Sequence, residues 1–561
     1  MTSAVRPPLA PLPLAAAVRG AVALAAPLIA GAFTGWGFPS VIAAIGALWA
    51  IGQDGSDPYP SRIRRFTALG VAAALGLAAG ELALRSGEST TQTACLAVAA
   101  LVAGAISLRG RVASVAGMHL LLGATIGGGI PAPGPWWQAP FALLAGIGVV
   151  LVLSVTPWLW RRHHVERAAL LTVYRAASAA LAAAGTAGAA DARRRLTDAL
   201  DNAQQAMGRY LTPGARQRPD PQAGALVTVF HHTVRLAEAV TTLLWEARPL
   251  PATVTHVPLL MAARLLPGPD GRAAPVLPHP RPDSPGLRAL ADLCTTAATE
   301  RIPDVALHAP APPRPSRAAH LRYTMLLTVC VLTAQLCADL LHGPRSYWLP
   351  MTVAFVYKPD FGPVLRRALH RCAGTVTGVA AIGALSSTTH DTYALIGIAA
   401  LFGALTAVGV RHHYALATTG LTAVVFVLLD LLGDQRAFFG PRILDTALAA
   451  AIVLGVHFAV WPDSAISRAR MQTEAALAAS FRYRDLSPGS TPAQRQALRR
   501  AAYQQLADAR RAAAQARGEP VRPGRKPPDW EEAITAAEHL CDAVTSRSLS
   551  SAFNSRHAHT V

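Results

Sequence analysis

Apolar residues in this chain come in long runs separated by short polar turns, and the runs fall into two blocks. A helix crossing the hydrocarbon core of a bilayer needs about 20 mostly apolar residues, with a range of about 17 to 25. The first block offers candidate spans at 14–34, 37–52, 66–84, 93–108, 112–130 and 140–160. The second offers 321–341, 347–357, 372–387, 392–410, 413–432 and 441–461. The runs 37–52 and 347–357 are short and predict either re-entrant segments or spans with polar ends. The Pro-rich stretch Met1 to Leu14 is followed at once by several apolar runs, so the first run reads as a spanning helix rather than a cleaved leader. Two other regions are rich in Ala, Arg, Asp and Glu and carry a helical period. In 223–247, for example, Val227, Phe230, Val234, Ala237 and Leu244 recur at helical spacing. The Pro-rich stretch 304–316 reads as an extended linker.

These elements predict an all-α polytopic membrane protein in five parts: a first transmembrane block (1–160), a cytoplasmic helical domain (161–303), a linker (304–320), a second transmembrane block (321–462) and a C-terminal cytoplasmic helical domain (463–561). An internal repeat underlies this order. Gly70 and Gly374 are 304 residues apart, as are Arg62 and Arg366, and Trp158 and Trp461 are 303 apart. Leu-Ala-Glu-Ala-Val at 236–240 matches Leu-Cys-Asp-Ala-Val at 540–544. About six spans per half would leave both copies in the same orientation, a tandem parallel repeat related by an axis along the membrane normal.

Charge placement sharpens the topology. With the N-terminus inside, the inner loops carry Arg62, Arg64, Arg65, Arg109, Arg111, Lys358, Arg366, Arg367, Arg371 and Arg411, whereas the outer loops carry Arg85, Arg345, Arg436 and Arg442. That asymmetry predicts a multi-pass protein of the cell (cytoplasmic) membrane with both termini cytoplasmic. It also accounts for much of the net charge of +19 without nucleic acid as a partner. Only 15% of residues are charged, below the roughly 25% of an average soluble protein. The six cysteines form no Cys-x-x-Cys pair. His163-His164, His231-His232 and His412-His413 read as solvated juxtamembrane pairs rather than metal sites. With lysine only at 358 and 526 there is no P-loop lysine, and no HExxH or GxSxG pattern occurs. The expectation is a protein that is not an enzyme, with no cofactor and no metal.

The most informative stretch is 346–383, SYWLPMTVAFVYKPDFGPVLRRALHRCAGTVTGVAAIG. Pro359 and Pro363 break the short apolar segment and form a hinge, and Pro363 suits the first turn of the following helix with Asp360 or Gly362 as its cap. Arg367 and Arg371 are i,i+4 neighbours, as are Arg366 and His370. Gly374 and Gly378 supply a small-xxx-small pair for close helix packing. The order Trp-x-Pro-x-Thr-Val, Pro-Asp-Phe-Gly, Arg-Arg-x-x-x-Arg and Gly-Thr-x-x-Gly resembles the fusaric-acid-resistance-like (FUSC) family of integral membrane transporters, to which aromatic acid exporters belong. The resemblance covers Tyr347 to Trp461. The first block follows a weaker version, in which Gln-Asp-Gly-Ser-Asp-Pro replaces Lys-Pro-Asp-Phe-Gly. The resemblance implies efflux of small, often aromatic, carboxylic acids.

On the residues themselves, Lys358, Asp360, Arg366, Arg367 and Arg371, with Arg62 and Arg65, form a candidate recruitment site at a cytoplasmic mouth. Clustered cations around a cleft concentrate anions. The bland alternative is anchoring to lipid headgroups. Ionisable residues inside spans are functional candidates because charge is costly in lipid; these are Arg19, Glu81, His119, Asp339, Asp430, Asp445 and His457. Asp445 and His457, both on the last span, are the candidates for proton coupling. The expected function is proton-coupled secondary efflux of small organic anions. A gated anion channel and a non-transporting scaffold for a cytoplasmic partner are the alternatives. The expected partners are the lipid bilayer, an organic anion, protons and, on general grounds, a second copy in a homodimer.

Overall fold

The computed structural model describes residues 13–55, 57–208, 210–211, 221–266, 275–299, 317–343, 345–358, 363–386, 391–433, 439–461, 464–519 and 529–558. Every regular element among them is helical. In the first membrane half these are α1 (Leu14–Thr34), α2 (Gly37–Ile51), α3 (Tyr59–Arg85), α4 (Ser89–Ser107), α5 (Arg111–Gly129) and α6 (Gln138–Val155). There follow α7 (His164–Ala182), α8 (Ala189–Met207), α9 (Pro221–Trp245), α10 (Ala252–Thr255), α11 (Val257–Leu265) and α12 (Pro285–Thr299). The second membrane half comprises α13 (Arg317–Leu341), α14 (Trp348–Val356), α15 (Val364–Ser386), α16 (Thr392–His412), α17 (Tyr414–Leu431) and α18 (Phe439–Val460). The chain closes with α19 (Ser464–Leu486), α20 (Pro492–Arg517) and α21 (Trp530–Ala558).

The chain separates into two compact units. One holds residues 1–160, 313–462 and 518–520; the other holds 161–312, 463–517 and 521–561. The first contains ten helices long and apolar enough to cross a membrane. The two short apolar runs are helices of 15 (α2) and nine (α14) residues. At 1.5 Å per residue these reach about 22 and 14 Å, against a hydrocarbon core of about 30 Å. The structure therefore places ten long spans and two shorter helices where the apolar pattern suggests twelve spans. Among the described residues α13 begins at Arg317, so the last four positions of the expected linker are helical and 304–316 lie outside the described residues.

Contacts between the two membrane halves come in exchanged pairs: α1 packs on α16 as α13 packs on α4, and α2 meets α17 as α14 meets α5. Small residues set these distances. On α3 and α5, Gly76, Gly80, Gly123 and Gly127 each lie so close to the opposite backbone that a Cβ would collide with a carbonyl oxygen. Gly374 and Gly378 do the same on α15, where a Cβ would lie 2.5 Å from Ala415 O and 2.7 Å from Thr419 O of α17.

The second unit has two hydrophobic cores, one around Tyr174, Phe230 and Leu290 and the other around Tyr483, Leu506 and Ile534. His231 and His232 lie inside the first of these, 2% and 0% exposed, not on a solvated face as expected. The apolar stripe of α9 explains the difference, because its buried arc includes both positions. Tyr174 Oη and His232 Nδ1 are 2.9 Å apart, and burial pushes the His232 imidazole down to about 4, so it is neutral near pH 7. Arginines and carboxylates also pair in exchanged fashion. Arg193 of α8 meets Asp542 of α21 at 3.1 Å, and Arg499 of α20 meets Glu238 of α9 at 3.5 Å. Glu238 and Asp542 are the acidic members of the 236–240 and 540–544 repeat.

Candidate functional site

The basic cluster predicted from 346–383 is divided by the geometry of α15. Residues four apart share a helix face, so Arg367 and Arg371 turn inward while Arg366, one position off, is exposed. Arg367 is 5% exposed, and its Nη1 donates to Val356 O at 3.0 Å and Lys358 O at 2.5 Å. It thereby satisfies carbonyls at the C-terminal end of α14 that a helix terminus leaves without intrahelical partners. Arg371 is 1% exposed and its guanidinium lies 4.5 Å from the Phe355 ring centroid. Lys358 is also buried. Pro363 stands just before α15, while Pro359 and Asp360 lie outside the described residues.

Arg62 and Arg65 of α3 have partners of their own. Arg62 donates from Nε to Asp57 O at 2.8 Å and lies 3.7 Å from Asp54 Oδ1; Arg65 is ion-paired with Asp57. Asp54 is the centre of a larger cluster. Arg19 reaches it at 2.6 Å, Arg411 of the second half at 3.8 Å, and Ser154 Oγ donates to it at 3.3 Å. Asp54 and Asp57 occupy the segment Gln-Asp-Gly-Ser-Asp-Pro, where sequence reasoning saw only a departure from the second-half motif. Their value lay in charge balance: two acids stand directly before a helix whose first turns hold Arg62, Arg64 and Arg65.

The last span carries the two candidates for proton coupling, Asp445 and His457, at different levels. His457 is 5% exposed, with its Nδ1 3.3 Å from Tyr357 Oη, and Tyr357 is stacked on Tyr323. Asp445 is half-buried on the same helix, twelve residues earlier, or about 18 Å along the axis. The structure does not bring the two together. What α18 does bring inward is Arg442, which was counted among the outer-loop charges. It is 1% exposed, its Nη1 donates to Thr352 Oγ1 at 3.3 Å, and its guanidinium lies 5.1 Å from the Trp348 ring. Trp348, Thr352 and Phe355 follow one stripe of α14 at i, i+4 and i+7, so Arg371 and Arg442 lie against the same face of that short helix.

Elsewhere in the membrane unit, His119 Nδ1 lies 2.7 Å from Val115 O within its own helix, and Glu81 pairs with Arg85 at 2.6 Å. Among the described residues no group of three or more His, Cys, Asp or Glu is placed to hold a metal.

The helices that carry this arrangement coincide with a known sequence pattern. Residues 330–456 match the fusaric acid resistance protein-like family. This FUSC segment runs from within α13 to near the end of α18 and so contains Lys358, Arg367, Arg371 and Arg442. Individual chains with similar sequence include YhfK of Escherichia coli K12, 34% identical over 149 residues, 26% of this chain and 21% of that protein. The inner membrane protein YccS of the same organism is 29% identical over 145 residues, 25% of this chain and 20% of its own length. The membrane protein YvaC of Bacillus subtilis 168 is 26% identical over 476 residues, 80% of this chain and 73% of that one. This chain thus spans about a fifth of the length of YhfK and YccS. No solved structure matches it. Ten spanning-length helices and the similarity to inner membrane and membrane proteins make this a multi-pass membrane protein with a FUSC segment in its second half.

Proposed function

We propose that the chain exports small organic anions, aromatic carboxylates foremost, across the cell membrane in exchange for protons, with both termini in the cytoplasm. One observation carries this reading. In the second membrane half Arg371 and Arg442 are each 1% exposed and carry guanidinium nitrogens with no hydrogen-bond acceptor among the described residues, while the described carboxylates of that half are exposed (Asp339, Asp391) or half-buried (Asp430, Asp445). Buried positive charge is costly in a low-dielectric medium unless an anion accompanies it. A pathway that admits anions supplies that partner and lowers the electrostatic barrier to their passage.

In this reading Arg366, exposed at the start of α15, meets anions first, and the buried Lys358, Arg367 and Arg371 receive them. Pro363, directly before α15, is the described part of the expected hinge. Asp445 and His457 exchange protons at separate levels of α18 rather than as one relay. The test is export of a panel of aromatic acids from cells producing the chain, with and without a protonophore. Protonophore-sensitive export that is lost in Asp445→Asn is the expected result. Flux that persists after collapse of the proton gradient and follows voltage would instead make the protein a channel. No movement of any acid by correctly inserted protein would end the transport reading.

A further inference from the structure

Arg371 and Arg442 are the two largest charged side chains buried almost completely in this protein, each 1% exposed. Among the described residues, Nε and Nη2 of Arg371 and Nη2 of Arg442 have no hydrogen-bond acceptor. Asp445, one turn from Arg442 on α18, is half-buried and acts on Arg442 through its charge without coming within ion-pair distance. The compensation present is a ring face for each guanidinium, the Thr352 hydroxyl for Arg442 and the Tyr414 hydroxyl beside Arg371. A cation–π contact contributes about 0.5–2 kcal/mol. Leaving a charge uncompensated in the interior costs several kcal/mol. Both guanidiniums therefore keep donors that an anion would satisfy.

The positions specify the kind of anion. Arg442 reaches α14 at Thr352 and Arg371 reaches it at Phe355, three residues or about 4.5 Å further along the axis. Two planar guanidiniums against one face of a short helix are suited to share one carboxylate. The neighbouring walls are aromatic: Trp348 lies edge-on to Phe426 at 6.0 Å, and Phe426 to Phe439 at 5.2 Å. We propose that Arg371, Arg442 and Thr352 form a binding site for the carboxylate of an aryl acid, whose ring lies among Trp348, Phe355 and Phe426. The site rests on the export reading but makes a separate claim, namely binding at three named side chains.

The experiment uses the full-length protein purified in detergent, with carbon-14 benzoate as the probe in a scintillation proximity assay and unlabelled benzamide as the neutral competitor. Wild type binds benzoate, and benzamide does not displace it. Arg371→Gln and Arg442→Gln each weaken binding roughly 10- to 100-fold, the range expected for a lost hydrogen bond to a charged group. Thr352→Val, the mildest change, weakens it a few-fold. Benzoate raises the melting temperature of wild type but of neither arginine variant, as binding linkage requires. Equal displacement by benzamide, no benzoate binding by wild type, or unchanged affinity in both folded arginine variants overturns the site. Proteoliposome flux separates this claim from the export reading. Benzoate flux that is unaffected by both arginine variants sinks the site and leaves export standing, whereas arginine-dependent binding without any flux keeps the site and removes export.

Discussion

The two membrane halves use arginine in opposite ways. In the first, buried Arg62 and Arg65 meet Asp54 and Asp57, Arg19 adds to the cluster on Asp54, and Arg85 pairs with Glu81, while Arg411 of the second half also reaches Asp54. In the second, Arg367 is held by the carbonyls of Val356 and Lys358, while Arg371 and Arg442 lie on aromatic faces. Equivalent helices pack in equivalent ways, so the contrast is one of chemistry rather than architecture. A half whose charges are closed on themselves serves as a frame. In the second half the described buried charges are cations, and the proposed anion site lies among them. The second unit follows the first pattern, with Arg193 and Arg499 each matched to an acid contributed by the other repeat.

The contrast breaks most sharply at Asp54. Asp54→Asn strands Arg19 and Arg62 together, and the expected loss is about 3–5 kcal/mol, the range for breaking a buried ion pair from one side; a melting curve in detergent reads it. The same assay on Arg442→Gln in the absence of anion is expected to show no comparable loss, because no carboxylate is left behind. If Asp54→Asn melts like wild type, the two halves do not differ in the way described. Gly76→Ala and Gly374→Ala test the shared architecture, and each is expected to cost about 1–3 kcal/mol by forcing backbones apart. The first should be the larger, since its Cβ meets the Leu120 carbonyl more closely than that of Gly374 meets Ala415. Arg367→Gln keeps one amide donor for the end of α14 and should lower stability by about 1–2 kcal/mol. Arg366→Ala, on the exposed face, should shift stability by no more than about 0.5 kcal/mol. A large effect at Arg366 would return the basic cluster to a single undivided site.

Long apolar runs made the ten spans and their order legible, because twenty residues of low polarity have few other uses. The basic motif of α15 was legible too, and its i,i+4 spacing already separates Arg367 and Arg371 from Arg366. Arg442 was not. It lies three residues into α18 beside Pro441, where a hydropathy window counts it with the loop, and only its seat on Trp348, 94 positions earlier, brings it inside. Asp54 was passed over because two of its partners, Arg19 and Arg411, come from helices distant in sequence. His457 and Asp445 share a helix, which suggested a pair, yet twelve residues of helical rise set them apart.

The exchanged packing of the halves has a consequence during synthesis. Gly104 of α4 fits against Thr324 of α13, which leaves the ribosome about 220 residues later. At about 5–20 residues per second that is a wait of roughly 10–45 s. Throughout it the small-residue face of α4 has only lipid beside it, so the first half must be tolerable to the bilayer as an unfinished surface. The alanines and glycines that let two helices approach closely also carry no side-chain charge or hydrogen-bonding group to burden lipid while their partner is still being made.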